Sequence, residues 1–70
     1  MRFSRHAKNK ARWSGLALAE VERIVAAPER ADVDAKGNPQ YYAHVHGQLY
    51  RVVIAQDDPT YVITIHERRD

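Results

Sequence analysis

The chain has 70 residues, no cysteine and a formal net charge of +2. A chain of this length forms one small domain, and the lack of cysteine excludes disulfides and thiolate metal sites. No apolar run approaches the roughly 20 residues of a membrane-spanning helix, and the N-terminus lacks the apolar stretch of a signal peptide. We therefore expect a single domain over residues 1–70, in the cytoplasm and without membrane contact.

Positive charge is concentrated at the start of the chain. The first thirteen residues contain no acid and carry five basic side chains: Arg2, Arg5, Lys8, Lys10 and Arg12. Such a stripe is typical of a polyanion partner, although a solvated helix face is equally compatible with it. The nucleic-acid-binding candidates are the basic and imidazole side chains near the two ends of the chain: Arg5, His6, Lys10, Arg12 and Arg68.

The first predicted element is a helix from about Arg5 to Trp13, with Ser4 as its N-cap. Its apolar face is thin, because only alanines share it, so the helix must dock on something to be stable. Ser14 and Gly15 end it. We expect Trp13 to be a core anchor rather than a platform for stacking bases.

A stronger helix follows, with one buried stripe formed by Leu18, Val21, Ile24 and Val25. Pro28 stops it, because the residue before a proline avoids the helical region. The N-cap position near Ala17 has no side-chain oxygen, so a frayed start is expected.

After Pro28 the hydrophobic period changes to two, which indicates strands. Residues 30–34 form a weak edge strand, and residues 40–46, 49–56 and 61–66 form three more. Gly47 and Gln48 fit a two-residue type II′ turn. That turn predicts His44 opposite Arg51 and Tyr42 opposite Val53.

The last pairing depends on the length of the loop after residue 56. A four-residue loop at 57–60 pairs Arg51 with His66 and Ile54 with Ile63, whereas a five-residue loop slips the register by one. The first alternative is favoured because it keeps the apolar residues together. His44, Arg51 and His66 then share one face. The reverse face, which both helices should cover, is apolar: Tyr41, Ala43, Val45, Val52, Ile54, Ile63 and Ile65.

Two imidazoles and a guanidinium on one face match the needs of RNA cleavage by a 2′-hydroxyl. His44 and His66 are acid and base candidates, because the pKa of histidine lies near neutrality. Arg51 would bind the phosphate oxygens. Tyr42, on the same face, could stack a base or share proton transfer. The alternative is that these side chains are merely solvated.

A metal site is the weaker interpretation. His44 and His46 have i, i+2 spacing, and His66 or His6 could be a third ligand. No acid lies in those strands to complete or orient such a site. We therefore expect neither a metal nor a cofactor.

The order of elements indicates an α+β fold, with two N-terminal helices packed on a small antiparallel sheet of three to four strands. The chain also resembles an uncharacterised bacterial domain family that opens with Ser-x-His-Ala-x-x-Arg, matched here by Ser4, His6, Ala7 and Lys10. The similarity extends to residues 14–17, 20–21, 27–28, 47–54 and 61–66. This layout is similar to the BrnT and RelE/ParE groups of toxin-like proteins.

The resemblance implies a toxin-like domain with a metal-independent endoribonuclease or RNA-binding role and an antitoxin partner. Two departures weaken the link to nucleic acid, since Lys10 and Ser14 stand where the family has arginines. The alternative function is a non-enzymatic interaction module, either a homodimer or half of a protein pair. Residues 30–34 would then pair with a partner's sheet.

Overall fold

The computed structural model describes residues 1–69. Two helices and five strands occur in the order β1 (Arg2–Phe3), α1 (Arg5–Trp13), α2 (Leu18–Ala26), β2 (Arg30–Val33), β3 (Pro39–Val45), β4 (Gln48–Ala55) and β5 (Asp58–Arg68). The strands form one sheet in the order β1-β5-β4-β3-β2. Neither helix in residues 1–69 is long and apolar enough to cross a membrane.

The expected architecture of two leading helices on an antiparallel sheet of three to four strands is wrong. The sheet has five strands and is mixed, because β1 precedes the helices and pairs in parallel with β5. Arg2 lies beside Tyr61, and Phe3 beside Val62. A two-residue strand leaves no periodic signal in a sequence, so only its tertiary partner reveals it.

Helix α1 has the predicted bounds and cap. The Ser4 hydroxyl accepts the Ala7 N–H at 3.0 Å, which satisfies one of the unpaired donors of the first turn. Ala7 and Ala11 are buried, so the thin apolar face docks on the sheet. Gly15 follows the helix at φ +68°, a left-handed conformation that glycine adopts without strain.

Helix α2 is not frayed at its start, contrary to the prediction. Ala17 has no side-chain cap, but its N–H donates to the Glu20 carboxylate at 2.9 Å. The carboxylate at the third position of the helix therefore accepts the N–H of the N-cap residue, which is one half of a capping box. Val21 and Ile24 are buried as the stripe predicted, whereas Leu18 is exposed.

The core lies between the helices and one face of the sheet. Its sheet side is contributed by Ala43, Tyr50, Val52, Ile54, Val62 and Ile65, with Phe3, Tyr41 and Val45 packed against them. The prediction that both helices cover this face is confirmed, since Ala7, Ala11, Val21 and Ile24 belong to the same cluster.

The β3–β4 hairpin turns one residue earlier than predicted. His46 and Gly47, at φ +52° and +80°, form the turn, and Val45 pairs with Gln48. Both central residues have positive φ, as in a type I′ turn. His44 therefore lies opposite Leu49, and Arg51 opposite Tyr42. Moving the turn by one residue changes the cross-strand partner of each residue by two positions, which is about 7 Å along the strand. Because two positions is a full side-chain period, every side chain of the hairpin stays on its predicted face.

The β4–β5 pairing keeps the predicted register over its middle. Arg51 pairs with His66, and Val52 with Ile65, as predicted. The predicted four-residue loop at 57–60 is wrong, because β5 already begins at Asp58, which pairs with Ala55. The predicted pair of Ile54 with Ile63 is wrong, because the register shifts after Val53 and Ile54 pairs with Val62. This irregularity places Val62 in the core.

Candidate functional site

Arg51 and His66 stand opposite each other on adjacent strands, on the face of the sheet away from the helices. Both are half-buried. Directly opposed residues of an antiparallel pair have Cβ atoms about 4.5–5.5 Å apart, so a guanidinium and an imidazole meet here by the sheet's own geometry.

A concavity of about 400 Å³ lies beside this pair. Its lining, which we call the Thr64 concavity, comprises Asp34, Ala35, Lys36, Asn38, Gln40, Arg51, Val53, Ile63, Thr64 and His66. Within residues 1–69, Arg51 Nε and Thr64 Oγ1 are buried and have no hydrogen-bond partner. An unsatisfied buried polar atom costs about 1–3 kcal/mol.

Helix α1 is attached beside β5, which brings its side chains to the same region. Ser4 donates to the sheet twice, from its N–H to Val62 O at 3.0 Å and from its hydroxyl to Ile63 O at 2.6 Å. With the alanine face of α1 in the core, Lys10 and His66 line a common concavity of about 290 Å³. The other residues of this Trp13 concavity are Trp13, Ser14 and Glu67.

Burial and positive charge lower the pKa of His66 from the ordinary value of 6.5. Burial is the largest cause, followed by the charges of four neighbours: Arg51, Lys10, His6 and Arg68. We call these four side chains and His66 the His66 cluster. A lowered pKa leaves the imidazole neutral near pH 7, which is the form that accepts a proton.

His44 lies opposite Leu49 rather than opposite Arg51. Its Nδ1 and its backbone N–H each lie 2.8 Å from a carboxylate oxygen of Glu29, the residue just before β2. The corrected hairpin register explains the separation, because Tyr42 occupies the position opposite Arg51 that was predicted for His44. The structure therefore brings His66 and Arg51 together but gives His44 a different partner.

Tyr42 lies beside Arg51 but is held by other side chains. It is 5% exposed, its hydroxyl donates to Asp32 at 3.2 Å, and its ring lies 4.2 Å beneath the Arg30 guanidinium. Gln40 donates to both Asp32 and the Tyr42 hydroxyl. These contacts assign Tyr42 to the structural support of the sheet rather than to proton transfer.

The basic residues of α1 divide into two groups. His6 and Lys10 belong to the His66 cluster, whereas Arg5 and Arg12 are exposed residues outside it. Arg68, the last residue of β5, joins the cluster. Of the five predicted nucleic-acid-binding residues, three therefore lower the His66 pKa by their charge, and Lys10 also lines a concavity with His66.

Two features of this region differ from, or were absent from, the predictions made from the sequence. Trp13 is 76% exposed beside Lys10, so its prediction as a core anchor is wrong. Its i+3 spacing from Lys10 and i+7 spacing from His6 was the available signal. Thr64, two residues before His66, shares its face and could have been found from the alternation of β5.

Histidine and acidic side chains do not gather into a metal site in the described part of the chain. No group of three or more His, Cys, Asp or Glu residues among residues 1–69 is placed to hold an ion. The exposed His46 instead pairs with Glu20, with His46 Nε2 lying 3.0 Å from Glu20 Oε2.

Comparisons with known proteins add no family to this description. No protein-family model, curated protein or solved structure matches the chain. The functional argument therefore rests on the geometry of the His66 cluster.

Proposed function

We propose that this protein binds RNA at the His66 cluster and cleaves the RNA backbone by internal attack of a 2′-hydroxyl. The observation that carries the proposal is the pairing of Arg51 with His66, surrounded by Lys10, His6 and Arg68. Phosphate oxygens are the natural ligands of such a group of cations.

Each step of the cleavage has a candidate group. The neutral His66 imidazole accepts the 2′-hydroxyl proton, and the 2′ oxygen bonds to phosphorus as the bond to the 5′ oxygen breaks. The second imidazole of the cluster, His6, donates a proton to the leaving 5′ oxygen. Arg51 binds the non-bridging oxygens, whose charge grows in the transition state. The products are a 2′,3′-cyclic phosphate and a 5′-hydroxyl.

His6 therefore replaces His44 as the second imidazole of the pair that was predicted to act as acid and base. The reason is position, since His6 lies one helical turn before Lys10, which lines a concavity with His66, whereas His44 contacts Glu29. Each proton transfer of this kind contributes about 10²–10⁴ in rate.

Incubation of the purified protein with RNA in the presence of a chelator tests the proposal. We expect cleavage to 2′,3′-cyclic phosphate ends, and no cleavage of an RNA with a 2′-deoxy sugar at the scissile position. His66→Ala and Arg51→Ala should each lower the rate at least about 10²-fold. His46→Ala is the matched control, because His46 is an exposed imidazole in the hairpin turn. Equal rates in all three variants would refute the proposal.

The cellular setting that we propose is a cytoplasmic toxin neutralised by an antitoxin protein. The motif resemblance around Ser4, His6 and Ala7 supports this setting. Expression of the wild-type chain in bacteria should slow growth, and the His66→Ala variant should not. Growth slowed equally by both would exclude RNA cleavage as the cause.

A second candidate function is protein–protein interaction through the outer edge of β2. This strand is at the edge of the sheet, all four of its residues are exposed, and Val33 is 63% exposed. The Asp34 N–H donates to Asn38 O just beyond the last residues of β2 and β3. Asp34 and Asn38 continue the register in which Asp32 pairs with Gln40. By the alternation of an antiparallel ladder, the backbone groups of Ala31 and Val33 then point outward, where a partner strand pairs with them.

A second copy of the chain would be complementary at this edge. In a two-fold antiparallel pairing centred on Ala31, Arg30 of each copy lies opposite Asp32 of the other. Arg30→Asp alone and Asp32→Arg alone should each remain monomeric, since like charges then meet. An equimolar mixture of the two variants should form a heterodimer, measured by light scattering. A monomeric wild type and a monomeric mixture would exclude the homodimer.

A further inference from the structure

Trp13 is an unusual surface residue. Its side chain is 76% exposed, although tryptophan is among the most apolar residues and is on average highly buried. It is the last residue of α1 and the only tryptophan in the chain. A large exposed ring at a defined position is the kind of surface that binds another flat apolar group.

The ring lies at the border of the His66 cluster. Trp13 lines its concavity together with Lys10 and His66, and Glu67 forms part of the same lining. On α1, His6, Lys10 and Trp13 follow i, i+4, i+7 spacing, so one side of the helix carries an imidazole, an ammonium and an indole in succession. An aromatic platform and a track of positive charge therefore run side by side.

We propose that Trp13 is a stacking platform for an unpaired base of single-stranded RNA, next to the phosphate that Lys10 and Arg51 bind. This inference rests on the proposed RNA-binding function and specifies the class of substrate. Aromatic stacking on a base contributes about 1–3 kcal/mol and tolerates any base, because every base has a flat π-face. In a duplex the bases are stacked on one another, so the platform selects single strands.

The charges around Trp13 favour a nucleic acid over a protein as the occupant of this surface. Four of the groups around His66 are cationic or imidazole side chains, and Lys10 lines the Trp13 concavity itself. The Glu67 carboxylate also lines the concavity, so the phosphate is expected on its Lys10 side. A base stacked on Trp13 would then place its adjacent phosphate towards Arg51 and His66.

The single tryptophan is a built-in reporter for the test. The probe is a short oligouridylate with 2′-deoxy sugars, which binds without being cleaved. We expect this probe to quench the Trp13 fluorescence, and its duplex with a complementary strand to quench it much less. Trp13→Ala should weaken binding by about 5- to 100-fold, measured by anisotropy of a labelled probe. Trp13→Phe should retain part of the affinity, because it keeps a ring.

Lys10→Gln separates the phosphate contact from the stacking contact. This variant should keep the fluorescence quenching at saturating probe but reduce the salt dependence of binding by about one ion. Urea denaturation of each variant verifies that it is folded, which is expected because Trp13 and Lys10 are not buried.

The outcomes distinguish the two proposals. Quenching by the single strand without any RNA cleavage would support the stacking platform and overturn the catalytic function. RNA cleavage with unchanged fluorescence and an unchanged rate in Trp13→Ala would overturn the platform alone. Equal quenching by single strand and duplex would also overturn it. Quenching by an equally acidic peptide, but not by the oligonucleotide, would show that the surface binds protein.

Discussion

Arg51 and His66 are directly opposed on β4 and β5, so two groups that disfavour each other's positive charge share one site. The arginine stays charged at all accessible pH values. Burial lowers the pKa of His66, and the positive charge of Arg51 lowers it further. The result is a neutral base beside a permanent cation, which is the combination that the proposed cleavage requires.

Removing the Arg51 charge should raise the pKa of His66 towards its ordinary value. Arg51→Met keeps an unbranched apolar side chain on β4 and deletes the second-largest cause of the shift. NMR titration of the imidazole measures the pKa in both proteins. Arg12→Met is the control, because Arg12 is exposed and is not among the charges that act on His66. An unchanged His66 pKa in Arg51→Met would contradict the electrostatic coupling.

The same lowered pKa links stability to pH. The unfolded chain binds a proton at His66 near its ordinary pKa of 6.5, whereas the folded protein binds it only at lower pH. The free energy of unfolding should therefore fall as pH drops through this window and level off below the folded pKa. His66→Asn should lose less stability than wild type between about pH 7 and about pH 5 in urea denaturation. Parallel losses in the two proteins would show that His66 is not responsible.

Thr64→Val should stabilise the protein. The hydroxyl of Thr64 is buried without a partner, and valine replaces it at nearly the same volume. We expect a gain of about 1–3 kcal/mol, measured by urea denaturation. Thr60→Val is the matched control, since the exposed Thr60 hydroxyl donates to Asp58 at 2.7 Å and its loss should destabilise slightly. A destabilised Thr64→Val protein would show that the hydroxyl has a partner in solution.

Ser4→Ala should loosen α1 from the sheet. The hydroxyl accepts from Ala7 N–H and donates to Ile63 O, so one substitution removes the helix cap and one of the two bonds that Ser4 makes to β5. The expected cost is about 1–2 kcal/mol of stability, together with weaker RNA binding because Lys10 and His6 lose their fixed positions. Ser14→Ala is the control, because the bond that Ser14 makes at the end of α1 comes from its backbone N–H. Equal stabilities of the two variants would argue against this role of the Ser4 hydroxyl.

The choice between two turns shows how far a sequence can specify a site. His46-Gly47 suits a type I′ turn and Gly47-Gln48 a type II′ turn, and both keep the apolar alternation of the strands intact. The face of each side chain was therefore predictable, but its partner was not. In the observed turn the partners differ by two residues from the predicted ones, so Arg51 lies opposite Tyr42 and His44 lies opposite Leu49, away from the site.

The sequence by itself determined the ends of α1 and the alternation of the strands. These follow from local rules, namely a capping serine and a side-chain period of two with a buried face. Only the tertiary structure decided that β1 joins β5, that His6 rather than His44 accompanies His66, and that Trp13 is exposed. Each of these depends on how α1 is rotated and attached on the sheet, and that is set by distant contacts such as Ser4 with Ile63.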